Sequence, residues 1–289
     1  MKRYCLYLFI LIGISCSAEL KAQRNGTVYK GNDPAVRYTG RTLVSSDGSV
    51  AFDWVGTYLE TRFTGGRLSV KVSETGTSYY NVFVDGKLHK VVKVCGTDTL
   101  IHLVSGIDKR IHSLKIQKRS EGEFGKTTIH QFVLSGSGRL AEEPAVRTRH
   151  IEFIGNSLTC GYGTDGKHRD EPFLVETENC NLTFASMVAR YYDADYTLIA
   201  HSGRGAARNY GDSVRVSKVT MKDRMLNTFD EDLTHKWNFK GYLPDLVVIN
   251  LGSNDFSTEP HPYKSEFTKA YKQILAQLRE HYGDIPILC

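Results

Sequence analysis

The sequence predicts two domains: an all-β jelly-roll sandwich, then an α/β domain with a parallel sheet. Three observations carry this. Residues 24–140 alternate apolar and polar side chains with period two between turn signals. From His150 onward short strands alternate with helical repeats. Between them "GSGRLAEEPAVRTRH", Gly136 to His150, is polar and holds Gly and Pro.

In the first region "GRLSVKVSE" places Leu68, Val70 and Val72 on one face of a half-buried strand. "YYNVFVDGKLHKVVKV" puts Asp85-Gly86 between two strand-like runs, which predicts a hairpin. "HSLKIQKRS" and "TTIHQFVLSG" supply further strands, and Asp47-Gly48, Gly65-Gly66 and Gly122 supply turns. The expected division is 23–140 for the β-sandwich, 141–149 for the linker and 150–289 for the α/β domain.

In the second region "HIEFIG", "DYTLIAHSG" and "DLVVINLG" read as strands. The last is a near-continuous apolar run suited to a parallel strand buried on both faces. "NLTFASMVARYY" reads as a helix, with Phe184, Met187, Val188 and Tyr191 spaced by three and four. "KSEFTKAYKQILAQLREHYG" predicts an amphipathic helix with Phe267, Tyr271, Ile274, Leu275 and Leu278 on one face and Gly283 ending it. "DIPILC" begins a fourth strand. A parallel strand with no helix after it predicts a domain cut short at its C-terminus.

Composition excludes some functions. The 289 residues are 40% hydrophobic and 24% charged, ordinary for a globular chain. The net charge is +5, of which Lys2, Arg3 and Lys21 against Glu19 supply +2. So mild an excess, without a basic run interleaved with aromatics, gives no case for nucleic acid. Lys2 and Arg3 lead an apolar stretch, Tyr4 to Ile14, that reads as a secretory signal peptide over residues 1–22. Export to the periplasm or medium is expected. "GISC" offers a competing lipid anchor at Cys16, which would place the protein on the outer membrane. The cysteines at 95, 160, 180 and 289 are sparse and unpatterned, so neither a disulfide framework nor a metal site is predicted. A Cys160–Cys180 bridge is permitted, and Cys160 reads as a small buried residue.

Three stretches stand at the C-terminal ends of predicted parallel strands, the edge where open α/β sheets bind ligands. They are Gly155-Asn156-Ser157, "SGRGAARNYG" (Ser202 to Gly211) and Gly252-Ser253-Asn254-Asp255. A serine after a strand is commonly a helix cap. Three such stretches together point instead to acyl transfer. That chemistry needs an exposed hydroxyl on a rigid support and donors aimed at an oxyanion. Ser157 is the candidate nucleophile, with its own N–H, a glycine N–H of the second stretch and the Asn254 amide as donors. The spacing favours Gly205 over Gly203 for the glycine. The turn is not a Gly-x-Ser-x-Gly elbow, since Thr159 stands where the second glycine belongs.

"GNSLTCGYG", "SGRGAARNYG" and "GSND" resemble the first three blocks of the SGNH, or GDSL-like, hydrolases, with Asn156 replacing the usual aspartate. Together with Arg208-Asn209-Tyr210, "AFDWVGTYLETRFTGG" and the leading β-domain, the chain resembles carbohydrate esterase family 2. The resemblance implies a jelly roll before a flavodoxin-like SGNH sheet. It implies removal of O-acetyl groups from polysaccharides or oligosaccharides through an acyl-enzyme, without a metal or other cofactor. Ser157 would be the nucleophile, and Gly205 and Asn254 the oxyanion hole. The family's fourth block, a histidine base, is expected beyond Cys289. His150, His168, His201 and His261 read as structural or solvated, and Asp255, Arg208 and Asn209 as residues that order loops. Trp54 and Tyr79-Tyr80 read as core or sheet-face residues. Two alternatives stay open: a glycan-binding or inactive protein without its base, and an SGNH esterase acting on lipid or aryl esters.

Overall fold

A computed structural model of the chain describes residues 26–142 and 145–289. The signal segment and Cys16 lie outside the described residues. The first domain carries strands β1 (Thr27–Lys30), β2 (Val36–Thr39), β3 (Leu43–Val44), β4 (Val50–Phe52), β5 (Tyr58–Val84), β6 (Lys87–Lys118) and β7 (Thr127–Leu134). All their pairings are antiparallel. β5 and β6 form one long hairpin, closed where Asp85 and Gly86 take φ of 50° and 76°. Positive φ at both turn residues is the geometry an Asp-Gly pair permits. The hairpin then folds over on itself, so that Ile116 lies opposite both Leu59 and Val82. The resulting core holds Phe52, Phe63, Leu68, Val82, Phe132 and Leu134, each at most 2% exposed. Gly65-Gly66, expected as a turn, instead marks a register shift inside β5, where the strand bends without reversing.

The second domain has strands β8 (His150–Gly155), β9 (Asp195–Ala200), β10 (Leu246–Ile249) and β11 (Ile287–Leu288), parallel throughout in the order β11-β10-β8-β9. Its helices are α1 (Ser157–Cys160), α2 (Phe184–Tyr191), α3 (Met221–Arg224) and α4 (Lys264–Tyr282). α4 buries Ala270, Ile274, Leu278 and Tyr282, and the Gly283 N–H closes it on the Arg279 carbonyl at 3.0 Å.

α2 forms where expected but turns the other way. Ala185, Ser186 and Ala189 face the sheet, while Met187 and Tyr191 are 55% and 81% exposed. Small residues let the helix approach β8 and β9 closely, and the spacing of three and four fits either face. Cys160 and Cys180 are both buried free thiols, and no bridge joins them.

Polar side chains fuse the two domains. Arg41, between β2 and β3, crosses beneath the sheet to Glu152 of the central strand β8 (3.5 Å) and donates to the carbonyls of Met225 (2.6 Å) and Asn227 (2.8 Å). Asp195, at the start of β9, accepts from Arg37 (2.6 Å), Tyr58 (2.6 Å) and Arg147 (2.8 Å). Trp54 is fully buried with its indole N–H toward Asn227 O. Tyr80 is 3% exposed, and Tyr79 bonds Glu176 across the domains at 3.3 Å.

His150 is a structural histidine, bonded to Thr197 Oγ1 (2.9 Å) and Tyr242 Oη (3.1 Å), and burial pushes its pKa down from 6.5 to about 4. The folded state therefore keeps it neutral where the unfolded chain would protonate it. Its contribution is intact above pH 6.5 and is lost as pH falls toward 4. His150→Gln should make stability less steep over that window, by on the order of 2 kcal/mol at its acid end. Urea unfolding of both forms between pH 7 and 4 measures this.

Candidate active site

β8 ends in Gly155, and Asn156 turns the chain. Asn156 is extended (φ −133°) and fully buried, and its Oδ1 accepts the Leu158 N–H at 3.2 Å, capping α1. Ser157 is thus the first helical residue and is half-buried. The first N–H groups of a helix have no partner within it, so the Ser157 N–H is available to a ligand. A side chain at Gly155 would put its Cβ 2.0 Å from Thr159 Oγ1. Thr159, fully buried, packs where an elbow's second glycine would be.

The three stretches lie on neighbouring strands and are stitched together. Asn156 Nδ2 donates to Ser253 Oγ (2.9 Å), joining the first to the third. Asn254 Nδ2 donates to the Arg204 carbonyl (2.7 Å), joining the third to the second. An amide nitrogen carries two hydrogens, and the second has no acceptor among the described residues. Asp255 is fully buried and accepts the N–H groups of Ala206 (3.0 Å), Ala207 (2.7 Å) and Arg208 (2.9 Å). Arg208, also buried, ties the loop to Val214 O (3.1 Å) and Thr258 Oγ1 (3.0 Å). Asn209 Nδ2 donates to Val219 O (2.9 Å). These residues order the loop.

Gly205 does not suit the donor role expected of it. Its N–H is buried and points at Asn209 Oδ1 (3.4 Å). A Cβ there would lie 2.0 Å from Arg208 O and 2.4 Å from Asp255 Oδ2, so packing explains this glycine. Gly203 suits the role better. It is half-buried with φ +75°, its N–H has no hydrogen-bond acceptor among the described residues, and only Tyr210 Cβ comes within 4.0 Å of an added Cβ. That φ is the left-handed region glycine enters readily. Spacing along the chain does not distinguish the two; the backbone conformation does.

One contributor escaped the sequence. Glu121, from the turn before β7, is fully buried and its carboxylate receives both the N–H (2.5 Å) and the hydroxyl of Ser202. The β-domain therefore fixes the residue directly before Gly203. Nothing local marks Glu121, since its partner is 81 positions away. Its own N–H donates to Glu178 (3.0 Å), whose pKa is well above the carboxylate range because of burial and then the Glu121 charge. Burial also raises the Cys160 thiol, which rules it out as a nucleophile.

The histidines are engaged elsewhere. His201 is buried with Nδ1 against Asp230 (2.7 Å). Burial opposes its protonation, yet the charge and hydrogen bond of Asp230 prevail and raise its pKa. His261 pairs with Glu259 (3.3 Å), and His168 is exposed. No histidine among the described residues is hydrogen-bonded to Ser157.

A serine at a strand-to-helix turn, flanked by a glycine loop and an Asn-Asp loop on the adjacent strands, defines a GDSL-type serine hydrolase domain. The family model of GDSL-like lipases and acylhydrolases matches residues 153–289, and that of the carbohydrate esterase 2 N-terminal domain matches 38–144. The chain is 34% identical over 258 residues to a cellulase/esterase of Acetivibrio thermocellus, spanning 89% of this chain but 31% of that protein. It is 33% identical over 226 residues to an acetylxylan esterase / glucomannan deacetylase of Cellvibrio japonicus, spanning 76% of this chain and 61% of that protein. A family two carbohydrate esterase from Clostridium thermocellum, solved with cellohexaose, superposes with a TM-score of 0.82 at 34% identity, over 87% of this chain and 76% of that one. The chain belongs to carbohydrate esterase family 2.

Asp255→Ala should leave three buried N–H groups unpaired, each costing roughly 1–3 kcal/mol. The melting temperature should fall well below that of Ser157→Ala, which thermal denaturation of the two variants side by side measures.

Proposed function

We propose that this protein is an exported serine esterase that removes O-acetyl groups from polysaccharides or their oligosaccharides. The observation that carries the reading is the stitched set of three loops around Ser157. Ser157 Oγ attacks the acetyl carbonyl carbon. The oxyanion so formed lies against the N–H groups of Ser157 and Gly203 and the free hydrogen of Asn254 Nδ2. The sugar oxygen leaves with a proton, and water then hydrolyses the acetyl-enzyme to acetate. A base at Ser157 Oγ is required in the first step and an acid at the sugar oxygen in the collapse, roles that one histidine serves in turn. No metal or cofactor enters this scheme. The names of relatives acting on acetylxylan and glucomannan support the substrate class.

Short acyl groups are favoured over long ones. The loop after Ser157 exposes Lys167, His168, Arg169 and Asp170, a charged surface that suits a fatty chain poorly. Beside it Tyr162 stacks on Phe173 (3.7 Å between centroids), which stacks in turn on Phe124 of the β-domain (5.7 Å). Export rests on Lys2, Arg3 and the apolar run that follows.

Acetate release from acetylated xylan or glucomannan by the full-length protein tests the reading. Ser157→Ala should lower kcat by roughly 10⁴-fold or more. Acetyl esters should be cleaved far faster than octanoyl esters. Full activity in the variant, or a preference for octanoyl, would refute it.

A further inference from the structure

Glu121 and Glu123, in the turn before β7, meet His201 just after β9. One donor atom of each lies within 4.8 Å of the other two. The His201 side chain is 2% exposed, and its Nδ1 lies 2.7 Å from Asp230 Oδ2. With the Nδ1 proton on that bond, Nε2 presents a lone pair. Nε2 faces Glu123 Oε2 at 3.8 Å, too far for a hydrogen bond, and it has no hydrogen-bond partner among the described residues. A metal-binding histidine is held in this way, by a carboxylate at the ring nitrogen that does not touch the metal.

The charges on the two sides of the ring differ. On the Nδ1 side Asp230 and Glu231 share Arg224, at 3.0 and 2.8 Å. On the Nε2 side neither Glu121 nor Glu123 pairs with a lysine or arginine among the described residues. Glu121 receives the Ser202 N–H and hydroxyl. A carboxylate has about four lone-pair sites, so it keeps capacity for a further bond. Burial, and then the Glu121 charge, raise the Glu123 pKa. A cation between the two carboxylates would relieve that repulsion. Glu123 is 41% exposed and lines a crevice of about 300 Å³ between the domains, which gives an ion a way in.

We propose that His201 Nε2, Glu121 and Glu123 bind a divalent transition-metal cation of the Zn²⁺ type, which clasps the β-domain to the end of β9. Zinc takes imidazole nitrogen and carboxylate oxygen at about 2.0–2.2 Å. Two such ligands at a tetrahedral angle stand about 3.4 Å apart, so the 3.8 Å between Nε2 and Oε2 closes with a shift of about 0.4 Å. The imidazole favours zinc over calcium and magnesium, which prefer oxygen ligands. The cation takes the place of a proton on His201. It adds a tie across the domain boundary beside Ser202, the residue before Gly203. Its binding does not use the Ser157 hydroxyl, so this site and the esterase reading stand or fall separately.

Isothermal titration of chelator-treated, tag-free full-length protein with Zn²⁺, Ca²⁺ and Mg²⁺ tests the site. A single equivalent of Zn²⁺ should bind at least about tenfold more tightly than Ca²⁺ or Mg²⁺, and should raise the melting temperature. Glu123→Gln should weaken Zn²⁺ binding by at least about tenfold and remove that rise. The Glu123 carboxylate is exposed and pairs with no lysine or arginine among the described residues. The metal-free variant should therefore melt with the wild type, so lost binding is not lost folding. Glu231→Gln, on the Nδ1 side, should bind Zn²⁺ as the wild type does. Absence of Zn²⁺ binding, or binding unchanged in Glu123→Gln, would overturn the proposal. Weakened binding in Glu231→Gln would overturn the assignment to Nε2, and Ca²⁺ bound as tightly as Zn²⁺ would overturn the histidine ligand.

Discussion

Everything at the catalytic edge hangs on the Asp255 carboxylate. Buried and aimed at three consecutive N–H groups, it determines where the loop from Ser202 to Gly211 runs. A carboxylate accepting several backbone N–H groups makes strong charge-assisted bonds, and each donor left alone in that interior would cost roughly 1–3 kcal/mol. Neighbouring Asn254 holds the same loop at Arg204. One short segment after β10 therefore both carries Asn254 and sets the conformation of the loop that carries Gly203. Such preorganisation lets donors stabilise charge without moving during the reaction.

The β-domain is part of that machinery. Glu121 holds Ser202, at the start of the loop that Asp255 holds further on. Asp53, also from the β-domain, caps the Asp230 N–H at 2.8 Å. Asp230 in turn holds His201 (2.7 Å), the residue before Ser202. Asp53 has its pKa pushed up to about 7, by burial first and the Asp230 charge second. Buried carboxylates of this kind are costly unless hydrogen-bonded, and these are bonded across the domain boundary. The Arg41–Glu152 pair anchors the same boundary beneath the sheet. Buried ion pairs give specificity of fit more dependably than net stability, so the seam acts chiefly as a fixed register between the domains.

Much of this was legible in the sequence, for identifiable reasons. Period-two alternation marked the β-domain, and Asp85-Gly86 fixed its main hairpin by local chemistry. The strand ends at Gly155, Ala200 and Ile249 placed Ser157, the glycine loop and Asn254 together, because parallel neighbours share one edge. Three features were not legible. The buried face of α2 depended on Ala185 and Ala189 approaching the sheet, which outweighed the larger Met187 and Tyr191. The contrast between the two loop glycines lies in φ at Gly203 and crowding at Gly205, neither visible in spacing. Glu121 depended on a contact between domains, for which one sequence carries no local signal.

The most direct test of the oxyanion cradle is a crystal structure of the protein with a small alkyl boronic acid, which forms a tetrahedral adduct on a reactive serine. The adduct is predicted on Ser157 Oγ, with one boron-bound oxygen within hydrogen-bond distance of the Ser157 N–H, the Gly203 N–H and Asn254 Nδ2. An adduct whose oxygen meets Gly205 instead, or one formed on another residue, would contradict the account.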